Sequence, residues 1–441
     1  MIPPVQKSLL SSGLPVWLVE QHRNPQVVVS IVLQSGASSD PPGKSGTSTL
    51  TAELLDAGTS SRDALQISES VEFIGASLSF RAGPDATIGR LLTLNRHIET
   101  GLGLFADTLA NASFPLREFE RLKAQRLASL VQLRDRPSSV ASTAFMRVAY
   151  GDEHPYGRDP SGTEQSVRGL TREDVLRYYA EHYVPGDATL LVVGDTTMAD
   201  ILPVLERELG PWKGGREREP LPATEVPSRP ARVFLIDRPG APQSEIRIGR
   251  SALRRNTPEY FPAIVMNRIL GGQFSSRINM NLREKRGYTY GAHSSYLFLK
   301  QPGPFMVSGA FTGAKTAEAA EQLFLEIGAM YREGVSTREL ESSRKGIAGG
   351  FALSFETPSQ IAGVLQSIVL YGLPEDYLES FPGNLASVTA DDVRRVARLT
   401  IDPEAMSLLV VADAAETAGG LGSLGRGDVV MLDAEGSPAG R

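Results

Sequence analysis

The sequence predicts an α+β protein made of two homologous domains, each a mostly antiparallel sheet packed with helices. Two internal sequence repeats predict that the domain is duplicated. Residues 172–195 align without a gap with residues 390–413, and LREFERLKAQ at 116–125 resembles TRELESSRKG at 337–346. Both repeats occur in the same order, and the two copies of each are separated by nearly the same number of residues. We therefore infer one structural unit of roughly 220 residues that occurs twice.

Apolar patterns of two kinds predict the α+β class. Some segments of the first half are runs of valine, leucine and isoleucine, which are typical of strands, whereas others repeat apolar residues at helical spacing. The predicted strands cover 16–20, 26–36 and 188–195. The predicted helices cover 46–55, 116–134 and 172–182. Thr171 precedes the last of these helices, and its hydroxyl is suited to capping the helix start.

A stretch between the two units predicts the domain boundary. KGGREREPLPATEVPSRP at 213–230 is rich in proline, glycine and charge and has no apolar period, which is typical of an exposed linker. The sequence therefore predicts an N-terminal domain at 1–212, a linker at 213–230 and a C-terminal domain at 231–441.

The composition argues against several classes of function. The chain has 441 residues, a formal net charge of -6 and no cysteine. An acidic chain is an improbable nucleic-acid binder, and the lack of cysteine excludes disulfides, thiolate metal sites and a cysteine nucleophile. No window reaches the ~18 apolar residues of a membrane span. The compartment stays open: the periplasm if a leader has been removed, otherwise the cytoplasm.

Short motifs along the whole chain resemble the insulinase-like, or processing-peptidase, family of zinc metallopeptidases, in its bacterial type. The first half has YGDEHPYG at 150–157 and VVGD at 192–195, and the second half has ILGG, SSR and LREKRGYTY within 269–290. Several separated matches in the same order make the resemblance specific. It implies two peptidase-like domains, the first with a zinc site and the second with substrate-binding groups.

The resemblance also implies a zinc motif, His-x-x-Glu-His, on a helix near residue 50. On such a helix the spacing of four residues points both imidazoles at one ion. When residues 35–59 are matched to the family pattern, Thr49 and Glu53 replace the imidazoles and Ala52 replaces the general base. We therefore expect this chain to bind no zinc and to activate no water. The small residues of this helix have a simpler interpretation as packing residues.

The third zinc ligand of the family, a glutamate, would fall at about Ala128 or Ser129, where this chain has no acid. The histidines offer no substitute site, because none has a second histidine three or four positions away. The histidines are His22, His97, His154, His182 and His293. A Gly-x-Ser-x-Gly motif is also missing, so a serine hydrolase has no support in the sequence.

Arg283 and Tyr290 match an arginine and a tyrosine that the family extends from its C-terminal domain toward the substrate. A guanidinium and a phenol donate hydrogen bonds to a peptide carbonyl, most strongly when it becomes a tetrahedral oxyanion. The alternative is that Arg283 makes only a surface ion pair and that Tyr290 is a half-buried strand residue. Lys285, Arg286 and Tyr288 lie nearby, but their spacing fits less well.

The resemblance thus implies a non-catalytic subunit that supplies Arg283 and Tyr290 to a homologous catalytic subunit. That partner would carry His-x-x-Glu-His and the zinc, and peptides would be the substrates. One alternative is a structural subunit of a larger complex with no role in proteolysis. Another is a peptide-binding module that works alone.

Overall fold

The fold, seen in a computed structural model, is described for residues 4–214 and 230–438. The predicted linker at 213–230 therefore lies almost wholly outside the described residues. The described part forms twelve strands: β1 (Gln6–Leu9), β2 (Pro15–Glu20), β3 (Gln26–Leu33), β4 (Ser77–Ala82), β5 (Thr87–Leu94), β6 (Ala188–Gly194), β7 (Val233–Asp237), β8 (Gln243–Ser251), β9 (Ala292–Tyr296), β10 (Pro304–Thr312), β11 (Ser407–Ala412) and β12 (Val429–Leu432).

The same residues form sixteen helices: α1 (Thr47–Leu54), α2 (Ala64–Phe73), α3 (Ile98–Ala110), α4 (Leu116–Arg134), α5 (Pro137–Tyr150), α6 (Glu164–Arg168), α7 (Arg172–His182), α8 (Met198–Leu209), α9 (Tyr260–Leu270), α10 (Arg277–Asn279), α11 (Thr316–Glu333), α12 (Thr337–Leu353), α13 (Pro358–Tyr371), α14 (Tyr377–Ser387), α15 (Ala390–Thr400) and α16 (Ala414–Gly422). None of these described helices is both long and apolar enough to cross a membrane.

The strands form two six-stranded sheets, with the orders β1-β2-β6-β3-β5-β4 and β12-β7-β11-β8-β10-β9. In the first sheet only the β2–β6 pair is parallel, among the described strands. In the second sheet β7 runs parallel to both of its neighbours, and the remaining described pairs are antiparallel. Helices pack on both sheets, so the predicted α+β class is confirmed.

The sequence repeat at 172–195 and 390–413 corresponds to a helix and a strand that occur in both halves. Helices α7 and α15 each start with a capping box, in which Thr171 pairs with Asp174 and Thr389 pairs with Asp392. In each case the threonine hydroxyl accepts a backbone N–H that would otherwise lack a partner at the helix start. The strands that follow, β6 and β11, occupy equivalent interior positions in the two sheets.

The chain folds into two compact units, and neither is a continuous stretch of sequence. Unit 1 comprises Met1–Leu130, Asp159–Pro222 and Phe351–Glu379, and unit 2 comprises Val131–Arg158, Ala223–Gly350 and Ser380–Arg441. Unit 1 thus includes α13 from the second half of the sequence, and unit 2 includes α5 from the first half. The division of the sequence at 213–230 stays a prediction.

In unit 1, α13 covers one face of the first sheet. Strand β3 is buried along both faces, from Val27 to Leu33, as its apolar run, broken only by Ser30, predicts. Helix α13 packs on β3 and β6. Its Val369 carbonyl accepts a hydrogen bond from the Gln34 side chain at 3.2 Å, and its Leu365 is fully buried. The other face of the sheet packs against the main core of unit 1.

In unit 2, α5 covers the second sheet in the same way. Gly249 of β8 leaves room for this helix, because a Cβ there would lie 2.9 Å from the Phe145 ring. Arg247, also on β8, is buried and donates to the Ser138 carbonyl of α5 at 3.1 Å, while Glu245 balances its charge at 2.8 Å. Gly249 and Arg247 thus fix the helix on the sheet.

An ion pair in unit 2 fixes the segment that leads to Arg283. Arg277 of α10 makes two hydrogen bonds to the Glu339 carboxylate of α12, at 2.7 and 2.9 Å. Glu339 also accepts the backbone N–H of Ser336 at 2.9 Å, which completes the cap of α12. These contacts, with Arg277 as the largest cause, lower the pKa of Glu339 to about 2.

The packing of α13 predicts that Leu365→Ala destabilises the protein although the residue lies far in sequence from the sheet that it covers. We expect a loss of about 2–5 kcal/mol in the free energy of unfolding, because the substitution leaves a cavity between helix and sheet. Urea unfolding followed by circular dichroism measures this. Leu353→Ala, at a leucine that is 55 % exposed, is the control and should cost little. An equal loss of unfolding free energy in both variants would contradict the conclusion that Leu365 packs against the sheet.

The Arg277–Glu339 pair predicts a specific loss of stability in acid. Since the folded state lowers the pKa of Glu339 from 4.5 to about 2, its contribution is complete above the ordinary value and is lost as pH falls between these values. The difference in unfolding free energy between wild type and Glu339→Gln should be constant near neutral pH and shrink in this window. Glu341→Gln, which removes an exposed acid from the same helix, is the control for the loss of a negative charge, and an equal pH dependence in both variants would contradict the role of the Arg277 pair.

Candidate functional site

A pocket in unit 1 brings together the positions that the family resemblance assigned to a zinc motif. Its volume is about 590 Å³, and α1, β4 and α4 form its walls. Thr49, Ala52 and Glu53 line it from α1, and Ser129 lines it from α4. Of the two residues considered for the third ligand position, Ser129 is thus the one on the pocket wall. The positions that the resemblance assigned to the motif thus line one pocket.

The side chains in this pocket do not suit zinc. The Glu53 carboxylate is paired with the Arg126 guanidinium, and the Thr49 hydroxyl donates to the Pro160 carbonyl at 2.6 Å. Ala52 offers no ligand atom. Zinc sites use imidazole, thiolate or carboxylate groups in a tetrahedron, whereas this pocket offers the carboxylates of Glu53 and Asp56 beside hydroxyls and arginines, with Glu53 already paired. Across residues 4–214 and 230–438, no three histidines, cysteines or acids cluster closely enough to hold a metal ion.

Three charged residues of the pocket escaped the sequence analysis: Arg81, Arg126 and Asp56. Arg126 lies on α4, where nothing in the helical pattern distinguishes it from the other basic residues. Asp56 follows α1 and also lines the pocket. Burial raises the pKa of Asp56, and the nearby Glu53 carboxylate adds to this effect. The pocket therefore has a wall of mixed charged, polar and apolar side chains.

Arg283 lies in unit 2 on a π-helical turn, Met280–Lys285, which directly follows α10. Its Nε lies 3.4 Å from a carboxylate oxygen of Glu284, and its guanidinium carbon lies 4.5 Å from the centre of the Phe274 ring. The side chain is 38 % exposed. The ion pair fits the simpler interpretation of Arg283, but the guanidinium remains accessible to a ligand.

Tyr290 is 90 % exposed and lies outside the strands, so it is not the half-buried strand residue of the alternative interpretation. The two residues before it are anchored. The Tyr288 hydroxyl donates to Glu318 at 2.7 Å, and the Thr289 hydroxyl donates to the Ala310 carbonyl at 2.6 Å. The structure therefore separates the two tyrosines: the hydroxyl of Tyr288 is engaged with the fold, and Tyr290 projects into solvent.

The other basic residues of this segment also differ from Arg283. Arg286 donates through Nε to the Asn281 side chain at 2.9 Å, and Asn281 in turn donates to Glu326 of α11 at 2.8 Å. Arg286 thus helps to fix the turn to a helix. Lys285 is exposed and is no part of that link.

A serine, a histidine and an aspartate do meet in unit 1, but they do not form a hydrolytic site. The Ser35 hydroxyl lies 3.3 Å from His182 Nδ1 and donates to Asp187 at 3.1 Å. In a catalytic triad the serine instead donates to the histidine, which is oriented by the acid. Ser35 is also only 1 % exposed, so a substrate has no access to its hydroxyl.

Comparison with known proteins gives matches along most of the chain. Residues 16–158 match the family model described as insulinase (peptidase family M16), and residues 169–347 match the one described as peptidase M16 inactive domain. An uncharacterized zinc protease of Bacillus subtilis, YmxG, is 22 % identical over 395 residues, which cover 89 % of this chain and 95 % of that protein.

Solved structures show the same fold. A peptidase M16 inactive domain from Pseudomonas fluorescens has a TM-score of 0.87 and 24 % identity, with 93 % of this chain and 98 % of that chain covered. A protease from Helicobacter pylori also has a TM-score of 0.87, with 18 % identity and coverage of 93 % and 100 %. These matches, the two-sheet fold and the ordered motifs lead to one conclusion: the chain belongs to the insulinase-like peptidase family M16, and its sequence lacks that family's His-x-x-Glu-His motif.

Proposed function

We propose that this chain is the non-catalytic, substrate-binding subunit of a heterodimeric zinc metallopeptidase that degrades or processes peptides. It supplies Arg283 and Tyr290 to the zinc site of a homologous catalytic partner that carries His-x-x-Glu-His. The observation that carries the proposal is the exposure of Tyr290 beside anchored neighbours. A large aromatic residue that projects from a fixed turn has its polar tip ready for a ligand from another molecule.

The chemistry of the two side chains fits this role. The Arg283 guanidinium is permanently charged and presents several N–H donors, and the Tyr290 hydroxyl provides one more. Both donate to the carbonyl oxygen of the peptide bond, and these hydrogen bonds strengthen as negative charge develops on that oxygen. The partner supplies the zinc-activated water. This chain contributes by orienting the peptide and stabilising the oxyanion.

The pocket at α1 supports the same division of labour. A subunit that hydrolysed peptides by itself through the family's mechanism would need its ligands at the positions of Thr49, Glu53 and Ser129 and its base at Ala52. The ion pair between Glu53 and Arg126 occupies this wall instead. We infer that the chain binds no zinc there and is inactive alone.

Peptide hydrolysis by the reconstituted pair tests the role of Arg283 and Tyr290. We expect activity only when this chain is mixed with its catalytic partner. Arg283→Ala and Tyr290→Phe should each lower kcat/KM by more than about tenfold, because each removes a donor that acts in the transition state. Lys285→Ala is the control, since it removes a charge from the same turn without removing either donor.

Three outcomes separate the proposal from its rivals. Hydrolysis by this chain alone would contradict the loss of the zinc site. A mixture that is fully active with both Arg283→Ala and Tyr290→Phe would instead favour a structural subunit. Peptide binding by a homodimer that gains no activity from a partner would favour an independent peptide-binding module.

Restoring the family's ligands tests the interpretation of the pocket. The variant Thr49→His, Ala52→Glu, Glu53→His, Ser129→Glu should gain about one zinc per chain, because α1 and α4 already place these positions on one pocket wall. Elemental analysis after dialysis measures the metal, and wild type should retain almost none. A matched variant with alanine at the four positions controls for lost packing. Stoichiometric zinc in wild type would show that the pocket had been misinterpreted.

A further inference from the structure

Phe274 is an aromatic residue that the core of unit 2 does not use. It is 59 % exposed, and its ring centre lies 4.5 Å from the Arg283 guanidinium carbon. At this distance the negative face of the ring attracts the cation and favours particular orientations of the guanidinium plane. The Glu284 carboxylate, 3.4 Å from Arg283 Nε, provides a second contact. The guanidinium therefore has two neighbours that limit its freedom.

The backbone that carries Phe274 is rigidly held. The Asn267 carbonyl at the end of α9 accepts from the N–H groups of Gly271 and Gly272, at 3.0 and 2.7 Å. The Gly271 carbonyl accepts from Ser294 of β9 at 3.2 Å. A Cβ on Gly271 would lie 2.5 Å from the Ser294 nitrogen, so only glycine permits this close approach. These bonds fix the turn that leads to Phe274, whose ring lies beside the π-helical turn.

A long side chain such as arginine loses rotamer freedom when it binds a ligand, and this loss opposes binding. If part of that freedom is already lost in the free protein, the hydrogen bond to the substrate forms at a smaller entropic cost. Phe274 restricts the guanidinium without consuming its N–H donors, because the ring interacts through its face. The Glu284 carboxylate, by contrast, competes with a substrate carbonyl for the N–H of Arg283 Nε.

We propose that Phe274 is a positioning residue that holds the Arg283 guanidinium in the orientation from which it donates to the substrate carbonyl. This inference rests on the proposed role of Arg283 in trans. It adds a residue that touches neither substrate nor metal in that role and acts only through Arg283.

The test uses three variants of the full chain. Phe274→Leu removes the aromatic face but keeps an apolar side chain, and Phe274→Tyr keeps the face. Phe73→Leu, at a phenylalanine of α2 that is 91 % exposed, controls for the loss of an exposed aromatic ring elsewhere. Because Phe274 lies largely outside the core, all three variants should unfold at nearly the wild-type temperature, which calorimetry checks.

The first readout is the NMR signal of the Arg283 Nε–H in protein labelled with ¹⁵N-arginine, identified by its loss in Arg283→Lys. We expect this signal to shift and its exchange with water to quicken in Phe274→Leu, but to stay near its wild-type position in Phe274→Tyr and Phe73→Leu. An unchanged signal in Phe274→Leu would overturn the inference, because the ring would then have no hold on the guanidinium.

The second readout is peptide hydrolysis with the catalytic partner. Phe274→Leu should lower kcat/KM by about threefold, and Phe274→Tyr should restore it. In an Arg283→Ala background the leucine substitution should have no further effect, because Phe274 acts only through Arg283. Full activity of Phe274→Leu beside an impaired Arg283→Ala would overturn this inference alone. Full activity of Arg283→Ala would overturn the proposed function as well.

Discussion

The burial of both faces of each sheet is the constraint on which the rest of the structure depends. Central strands are buried along both faces, β3 from Val27 to Leu33 and β11 from Leu408 to Ala412. A sheet of this kind exposes apolar surface to water unless helices cover both of its faces. Helices from the first half of the sequence cover one face of the first sheet. Helix α13, from the second half, covers the other face. Helix α5 does the same for the second sheet.

Contacts within the second unit hold the segment that carries Arg283 and Tyr290. Helices α11 and α12 belong to the well-packed second unit, and they hold the segment that carries Arg283 through Asn281 and Arg277. The turn after it is held through Tyr288. The side chains of Arg283 and Tyr290 remain accessible. Preorganised donors of this kind stabilise a developing charge without having to be rearranged first.

Much of this architecture follows from local sequence signals, because those signals are strong. The predicted helices at 116–134 and 172–182 have the bounds of α4 and α7, since periodic apolar residues and a capping threonine define them. The α+β class and the repeated unit are also confirmed. The partner of each covering helix was not predictable in this way. The apolar face of α13 shows that it packs against something, but not that this is a sheet formed by the first half of the chain.

The candidate site shows the same limit. Spacing within the family-like segment selected Tyr290 over Tyr288, and in the structure Tyr290 is 90 % exposed whereas the Tyr288 hydroxyl donates to Glu318. The contacts of Phe274 with Arg283 and of Arg126 with Glu53 join residues from different turns or helices. No periodic pattern encodes such contacts, because they depend on how neighbouring elements pack. Tertiary packing decides them, so they become visible only in the structure.

The exchange of α5 and α13 also has a consequence for the integrity of the molecule. A protease that cut the chain once between its two halves would leave two fragments, each holding a helix that completes the other's unit. The fragments could not part without exposing an apolar sheet face on both sides. A nicked molecule would therefore persist as a non-covalent complex, and a gene split at this point would encode two polypeptides that fold only by meeting each other.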